Sequence, residues 1–79
     1  MSNVKISKTL DAKGLSCPLP ILKTKKAIME INIGELIEVL STDPGSVADF
    51  KAWTKATGNE LIANSEDGGT YRYVIKRVK

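Results

Sequence analysis

The chain has 79 residues, which is the size of one small domain. Hydrophobic residues make up 42% and charged residues 27%, a composition too apolar for a disordered tail and too polar for a membrane protein. Twelve basic and nine acidic side chains give a net charge of +3. With one cysteine, Cys17, and no histidine, the chain has no internal disulfide, no Cys-His or Ser-His pair and no cysteine/histidine zinc site.

The first half of the chain predicts a strand followed by a helix. Apolar residues alternate with polar ones from Val4 to Asp11, except at Lys8, which predicts a strand. A turn at 14–18 follows, and Pro18 suits the first helical position because a missing N–H costs nothing there. The helix is expected to run to about residue 31, before Gly34. Its buried stripe is predicted to comprise Ile21, Thr24, Ile28 and Ile31, with Lys23, Lys26 and Glu30 opposite.

The second half predicts a strand, a helix and a hairpin. The strands are expected at 35–42, 60–65 and 70–78, and Asp67-Gly68-Gly69 is a hairpin turn signal between the last two. Ser46 and Asp49 have the spacing of a capping box, while Asp43 is a competing start for the helix. Gly58 supplies the end of that helix. Its buried face is predicted to comprise Val47, Phe50, Trp53 or Thr54, and Thr57.

The element order β-α-β-α-β-β predicts a single domain over residues 1–79 of the α/β (α+β) class. The first two strands should be parallel and joined by a right-handed helical crossover, and the last two should form an antiparallel hairpin. Both helices would then cover one face of a four-stranded mixed sheet, which makes a two-layer sandwich. The other face would be open to partners.

Basic residues gather at both ends of the sequence. Residues 1–29 carry a net charge of +5, residues 30–67 carry −6 and residues 68–79 carry +4. The two basic ends would meet if the first and last strands lay near each other. A basic face attracts nucleic acid or an acidic protein, although an ordinary solvated lysine surface explains most of these residues.

The chemically suggestive feature is Cys17 in the sequence Cys17-Pro18-Leu19-Pro20. Proline holds the residue before it extended, as an N-cap residue is, so the thiol is predicted to sit over the helix N-terminus. There the helix dipole and a free N–H, that of Leu19, would favour a thiolate modestly, by about 0.3–1 kcal/mol. Without a histidine base we expect no turnover within this chain, but a thiol that accepts a group and passes it on needs only access and fixed geometry. The alternative is an inert cysteine buried as a small hydrophobe.

The segment 10–20 resembles the signature of the TusA/SirA-like sulfur-carrier family, Gly-Leu-x-Cys-Pro-x-Pro. The resemblance continues at 34–35, 42–45, 52–53, 57–58 and 71–73. It implies a two-layer α/β sandwich similar to the C-terminal domain of a bacterial translation initiation factor. It also implies that Cys17 carries sulfane sulfur as a persulfide, with Gly14, Pro18 and Pro20 supporting the motif.

The resemblance also implies the partners. A cysteine desulfurase or rhodanese-like protein would donate the sulfur, and a DsrE-like or other protein would accept it for tRNA thiolation, cofactor synthesis or sulfur oxidation. Leu19 stands where the enterobacterial tRNA-thiolation carriers have an acidic residue, which leaves the acceptor open. The chain would be a sulfurtransferase-type carrier, not a self-sufficient enzyme, and we expect neither cofactor nor metal. Lys13, Lys23 and Lys26 are candidate docking residues, with plain solvated lysines as the alternative.

Two other functions remain open at this point. One is an RNA-binding or regulatory module that uses the basic surface, although Phe50 and Trp53 have the spacing of helix-core residues and we do not expect direct nucleic-acid binding. The other is a redox-sensing thiol, which would need a partner thiol because the chain lacks a resolving cysteine. The first residues lack the apolar stretch of a signal peptide, so we expect a cytoplasmic protein without membrane contact.

Overall fold

A computed structural model describes residues 6–16 and 18–79. The sheet has the strand order β1-β2-β4-β3, with β1 parallel to β2 and with β4 antiparallel to both β2 and β3. This confirms the predicted α+β class, the element order and the mixed sheet with both helices on one face. Because β2 lies between β1 and β4, the first and last strands are not neighbours. The elements are β1 (Ile6–Ala12), α1 (Leu19–Ile28), β2 (Leu36–Ser41), α2 (Ser46–Thr57), β3 (Glu60–Asp67) and β4 (Thr70–Lys76).

The interruption of the β1 pattern at Lys8 has a structural explanation. Lys8 is on the same half-buried side of β1 as Leu10, and its ammonium pairs with the carboxylate of Glu30 at 2.6 Å. The charge that breaks the apolar alternation is therefore neutralised by the segment that follows α1. Val4, which the sequence placed in the same strand, lies outside the described residues.

Helix α1 has the predicted buried stripe but ends earlier than expected. The four predicted residues are all buried, and Pro20 and Ala27 join them. The helix stops at Ile28 because the N–H groups of Glu30 and Ile31 bond to carbonyls three residues back, which tightens the last turn. None of the helices in the described part of the chain is long and apolar enough to cross a membrane.

Helix α2 packs its aromatic side chains onto the sheet. Phe50 stacks on Tyr73 of β4 with ring centroids 4.3 Å apart, and Trp53 meets Phe50 edge-on at 6.4 Å. Phe50, Trp53 and Thr54 are buried as predicted, whereas Val47 and Thr57 are only half-buried.

The predicted capping box at the start of α2 is wrong. Ser46 is the first helical residue, Gly45 is the N-cap, and no side chain caps the helix. The Ser46 hydroxyl instead makes a hydrogen bond to Tyr73 within the core. Asp43 organises the turn, since its carboxylate accepts from the N–H of Gly45 at 3.1 Å and its carbonyl accepts from the N–H of Ser46 at 3.0 Å.

The hairpin between β3 and β4 is confirmed at Gly68-Gly69. Asp67 pairs with Thr70, and the two glycines between them have φ angles of +59° and +91°. Two residues with positive φ form the turn that matches the twist of a hairpin. Strand β3 runs two residues further than predicted, and β4 ends at Lys76, two residues before the predicted end.

Both helices begin at the same end of the sheet. Strands β1 and β2 are parallel, so their carboxyl ends lie together, and α1 and α2 each follow one of them. The loop before α1 carries the cysteine motif, and the loop before α2 carries the Thr-Asp-Pro-Gly sequence at 42–45. The topology therefore brings these two sequence motifs to one edge of the molecule.

Candidate functional site

The loop between β1 and α1 is fixed to the end of the sheet by its backbone. The N–H of Gly14 donates to Thr42 Oγ1 at 2.9 Å, which holds this loop against the one before α2. The N–H of Lys13 donates to Asp11 Oδ1 at 3.0 Å, and the N–H of Leu15 donates to the carbonyl of Ala12 at 3.3 Å. These three hydrogen bonds therefore hold the turn that precedes the motif in one conformation.

Gly14 has a conformational reason to be glycine. Its φ angle is +84°, a region that residues with a side chain rarely adopt. A Cβ at this position would meet no atom within 4 Å, so backbone strain, and not a steric clash, disfavours other residues.

Cys17 lies outside the described residues, and the N-cap position that the sequence predicted for it is occupied by Pro18. The geometry of the site is known from its chain neighbours, Ser16 and Pro18. Pro18 is the N-cap of α1, with φ −99° and ψ 16°, one position earlier in the helix than the sequence predicted. The N–H of Leu19 donates to the carbonyl of Ser16 at 2.9 Å, so the prediction that this N–H stays available to a thiolate is wrong.

The two motif prolines have different environments. Pro18 is exposed, and its carbonyl accepts from the N–H of Leu22 at 3.1 Å. Pro20 is fully buried, and its carbonyl accepts from Thr24 Oγ1 at 2.8 Å. Pro20 therefore anchors the first turn of α1 in the core while Pro18 remains at the surface beside position 17.

The structure brings two of the three candidate docking lysines together. Lys23 and Lys26 are exposed on α1 and line a groove of about 240 Å³ that also includes Lys8 and Glu30. A hydrogen bond from Lys8 and its charge hold the pKa of Glu30 below the usual value, and Lys26 contributes a smaller effect. Lys13 is exposed in the loop before α1 and does not line this groove.

Two apolar side chains are exposed at the start of α1, namely Leu19, which the sequence analysis identified, and Leu22, which it missed. Leu19 is 44% exposed and Leu22 is 51% exposed on the first turns of α1. The sequence contains a signal for their exposure, because neither residue belongs to the stripe of Ile21 and Thr24 that faces the core. The first turns of α1 thus present two exposed apolar side chains and the exposed Lys23.

The described residues offer no group of three or more Cys, Asp or Glu side chains arranged to hold a metal ion. The groove that reaches Pro18 is lined by apolar side chains together with Lys25 and Asp49. Such a mixture of apolar and charged side chains occurs on surfaces that contact other macromolecules.

A sequence profile described as sulfurtransferase TusA matches residues 8–77. The chain belongs to the TusA family. Among its relatives is the sulfur carrier protein TusA of Allochromatium vinosum, which is 52% identical over 68 residues, or 86% of this chain and 90% of that protein.

Solved structures and longer proteins contain the same TusA unit. A crystal structure of a SirA-like protein from Desulfitobacterium hafniense superposes with a TM-score of 0.78 at 26% identity, covering 91% of this chain and 99% of that one. The Bacillus subtilis protein YrkF is 43% identical over 74 residues, which span 94% of this chain but 40% of YrkF. The TusA unit therefore also occurs within longer chains. The family resemblance inferred from the motif is confirmed, and the relatives support a sulfur-carrier role.

Proposed function

We propose that this TusA-family protein accepts sulfane sulfur as a persulfide on Cys17 and relays it to an acceptor protein. The observation that carries the proposal is the motif loop, held to the loop before α2 by the Gly14–Thr42 hydrogen bond and anchored in the core by Pro20. A carrier must present one sulfur at a defined place, and a loop held by these contacts suits that task. Membership of the TusA family supports the same role.

The proposed transfer is balanced without an external oxidant. The thiolate of Cys17 attacks the terminal sulfur of a donor persulfide and forms a new S–S bond. The donor S–S bond breaks, and its electron pair leaves with the donor thiolate. The acceptor's thiolate later attacks the terminal sulfur in the same way and regenerates the Cys17 thiolate. Because the chain has no histidine, proton transfers fall to the partners or to solvent.

The surrounding residues have supporting roles in this proposal. Gly14, Pro18 and Pro20 shape the loop, and the positive end of α1, which has no acidic side chain in its first turn, follows directly after it. Lys23 and Lys26, together with Lys13 in the loop, attract acidic partner surfaces. The donor is a cysteine desulfurase or a rhodanese-like protein, and the acceptor is a DsrE-like or other protein of tRNA thiolation, cofactor synthesis or sulfur oxidation.

The burial of the aromatic residues favours the carrier over the RNA-binding alternative. Phe50 and Tyr73 are stacked on each other in the core, and Trp53 is only 9% exposed. Proteins that bind single-stranded nucleic acid present aromatic faces on which bases stack, and these three rings are not presented in that way.

Intact-mass spectrometry under non-reducing conditions tests the proposal. Incubation with a cysteine desulfurase and cysteine should raise the mass of the wild type by one sulfur atom. The variant Cys17→Ser, which removes only the thiol, should show no gain. Failure of the wild type to gain sulfur from a desulfurase, a rhodanese and inorganic polysulfide alike would overturn the proposal.

A further inference from the structure

A second groove lies between α1 and α2, on the opposite side of α1 from the groove of Lys23 and Lys26. Its volume is about 410 Å³, within the size range of ligand-binding pockets. Ile28 and Trp53 are buried and form its floor, while Met29 is 66% exposed at its edge. We call this the lower groove, because it lies at the end of α1 remote from the cysteine motif.

The floor and edge of the lower groove have the composition of a protein-binding surface. Tryptophan is enriched among the residues that dominate binding energies at interfaces. Methionine adapts its shape to different apolar partners because its side chain is unbranched and flexible. Trp53 and Met29 thus provide a fixed apolar surface beside an adaptable one.

Two lysines give the lower groove a positive edge. Lys25 of α1 and Lys79 near the end of α2 both line it, and no acidic side chain does. Neither lysine takes part in the three ion pairs formed among residues 6–16 and 18–79. The side chain of Lys79 lies over Gly58, where an added Cβ would come within 3.4 Å of its Cε.

The lower groove continues toward the motif. An adjoining groove of about 310 Å³ shares Lys25 and Trp53 with it and extends to Pro18, the residue after Cys17. Asp49 lines this upper part beside Lys25, whereas lysines are the only charged side chains that line the lower part, so positive charge is concentrated there. A partner attracted by that charge would bind at the far end of α1 and leave the motif loop uncovered.

We propose that the lower groove binds an acidic segment of a partner protein, which inserts one large apolar side chain against Trp53 and Met29. The carboxylates of that segment pair with Lys25 and Lys79. Charge complementarity selects this occupant, since the groove is apolar inside and lysines are the only charged side chains that line it. The identification of the partner as a sulfur donor or acceptor rests on the proposed function, whereas the binding itself does not.

Trp53 provides the test, because it is the only tryptophan in the chain. The probe is the capped hexapeptide EELFEE, with KKLFKK and EEAAEE as charge and apolar controls. EELFEE should shift Trp53 emission to shorter wavelength, move the amide resonances of Ile28, Met29 and Thr57, and bind more weakly as salt is added. Neither control peptide should produce these changes.

Matched variants distinguish binding in the lower groove from a general effect of the protein's net charge. The double variant Lys25→Glu/Lys79→Glu should weaken EELFEE binding about tenfold, because two attractions become repulsions. Two substitutions of the same kind, Lys51→Glu/Lys55→Glu, alter exposed α2 positions that do not line the groove and should leave binding unchanged. Equal binding of EELFEE and KKLFKK, or resonance changes confined to another surface, would overturn the proposal.

A parallel measurement distinguishes failure of this proposal from failure of the carrier function. Inorganic polysulfide loads a thiol without protein docking, so the gain in mass on Cys17 reports sulfur carriage alone. Sulfur loading without peptide binding would refute the proposed docking site and support the carrier function. Peptide binding without sulfur loading by any donor would support the docking site and refute the carrier function.

Discussion

The hydroxyl groups of Ser46 and Tyr73 lie 2.7 Å apart in the core and join the first turn of α2 to the central strand β4. Both residues are 1% exposed. Burial raises the pKa of Tyr73, and the hydrogen bond with Ser46 acts in the opposite direction. Since each hydroxyl satisfies the other, the described residues leave no buried side-chain polar atom without a partner. This hydrogen bond therefore helps to fix how α2 sits on the sheet.

Removing either hydroxyl should destabilise the fold. Tyr73→Phe leaves the Ser46 hydroxyl buried without a partner, which costs about 1–3 kcal/mol in the free energy of unfolding. Urea denaturation measures this change in Tyr73→Phe, in Ser46→Ala and in the double variant. The double variant should lose less than the sum of the single losses, because it leaves no unpaired hydroxyl. Strictly additive losses would show that the two hydroxyls do not interact.

The positive φ of Gly14 predicts that an alanine at this position strains the backbone, whereas an alanine at a glycine with negative φ does not. Gly14→Ala should lower the free energy of unfolding by about 1–2 kcal/mol, because the new residue must adopt a left-handed conformation. Gly45→Ala is the control, since Gly45 has a φ of −66° and an added Cβ there meets its nearest neighbour at an ordinary 3.5 Å. Gly45→Ala should cost less than Gly14→Ala, since it loses only the preference of an N-cap position for glycine and introduces no left-handed strain. Equal losses in the two variants would contradict the assigned backbone conformation of Gly14.

The ion pair between Lys8 and Glu30 predicts a pH dependence of known sign. Because Lys8 lowers the pKa of Glu30 in the folded state, the pair stabilises the fold above the unfolded pKa. That stabilisation is lost as the pH falls through the folded pKa. Lys8→Met should raise the pKa of Glu30 toward its ordinary value of 4.5, as measured by NMR titration of the side-chain carboxyl carbon. The control Lys25→Met removes a lysine that does not contribute to this shift, and a comparable rise in that variant would contradict the assignment.

Periodicity predicted most of the fold because the burial of one face is a local property of the sequence. The buried stripe from Ile21 to Ile31, which begins in α1, and the hairpin at Gly68-Gly69 both follow from short-range patterns. The capping box at Ser46 failed because its hydroxyl bonds to a residue 27 positions away, which no local spacing reveals.

The candidate site was predictable in its residues but less so in its surroundings. The motif placed Gly14, Pro18 and Pro20 at the start of α1, yet the N–H of Leu19 bonds to Ser16 within the loop itself. The lower groove was not predictable, since Lys25, Trp53 and Lys79 meet only when α1, α2 and the final residues are packed together.

The common starting edge of α1 and α2 has an electrostatic consequence. Each helix carries the equivalent of about half a positive charge at its first turn, and the parallel pairing of β1 and β2 brings these two ends to one side of the sheet. The two ends differ in their side chains, because the first turn of α2 contains the carboxylate of Asp49 and the first turn of α1 contains no acidic residue. An anion that approaches this side would therefore be attracted to the start of α1 and repelled by the carboxylate at the start of α2.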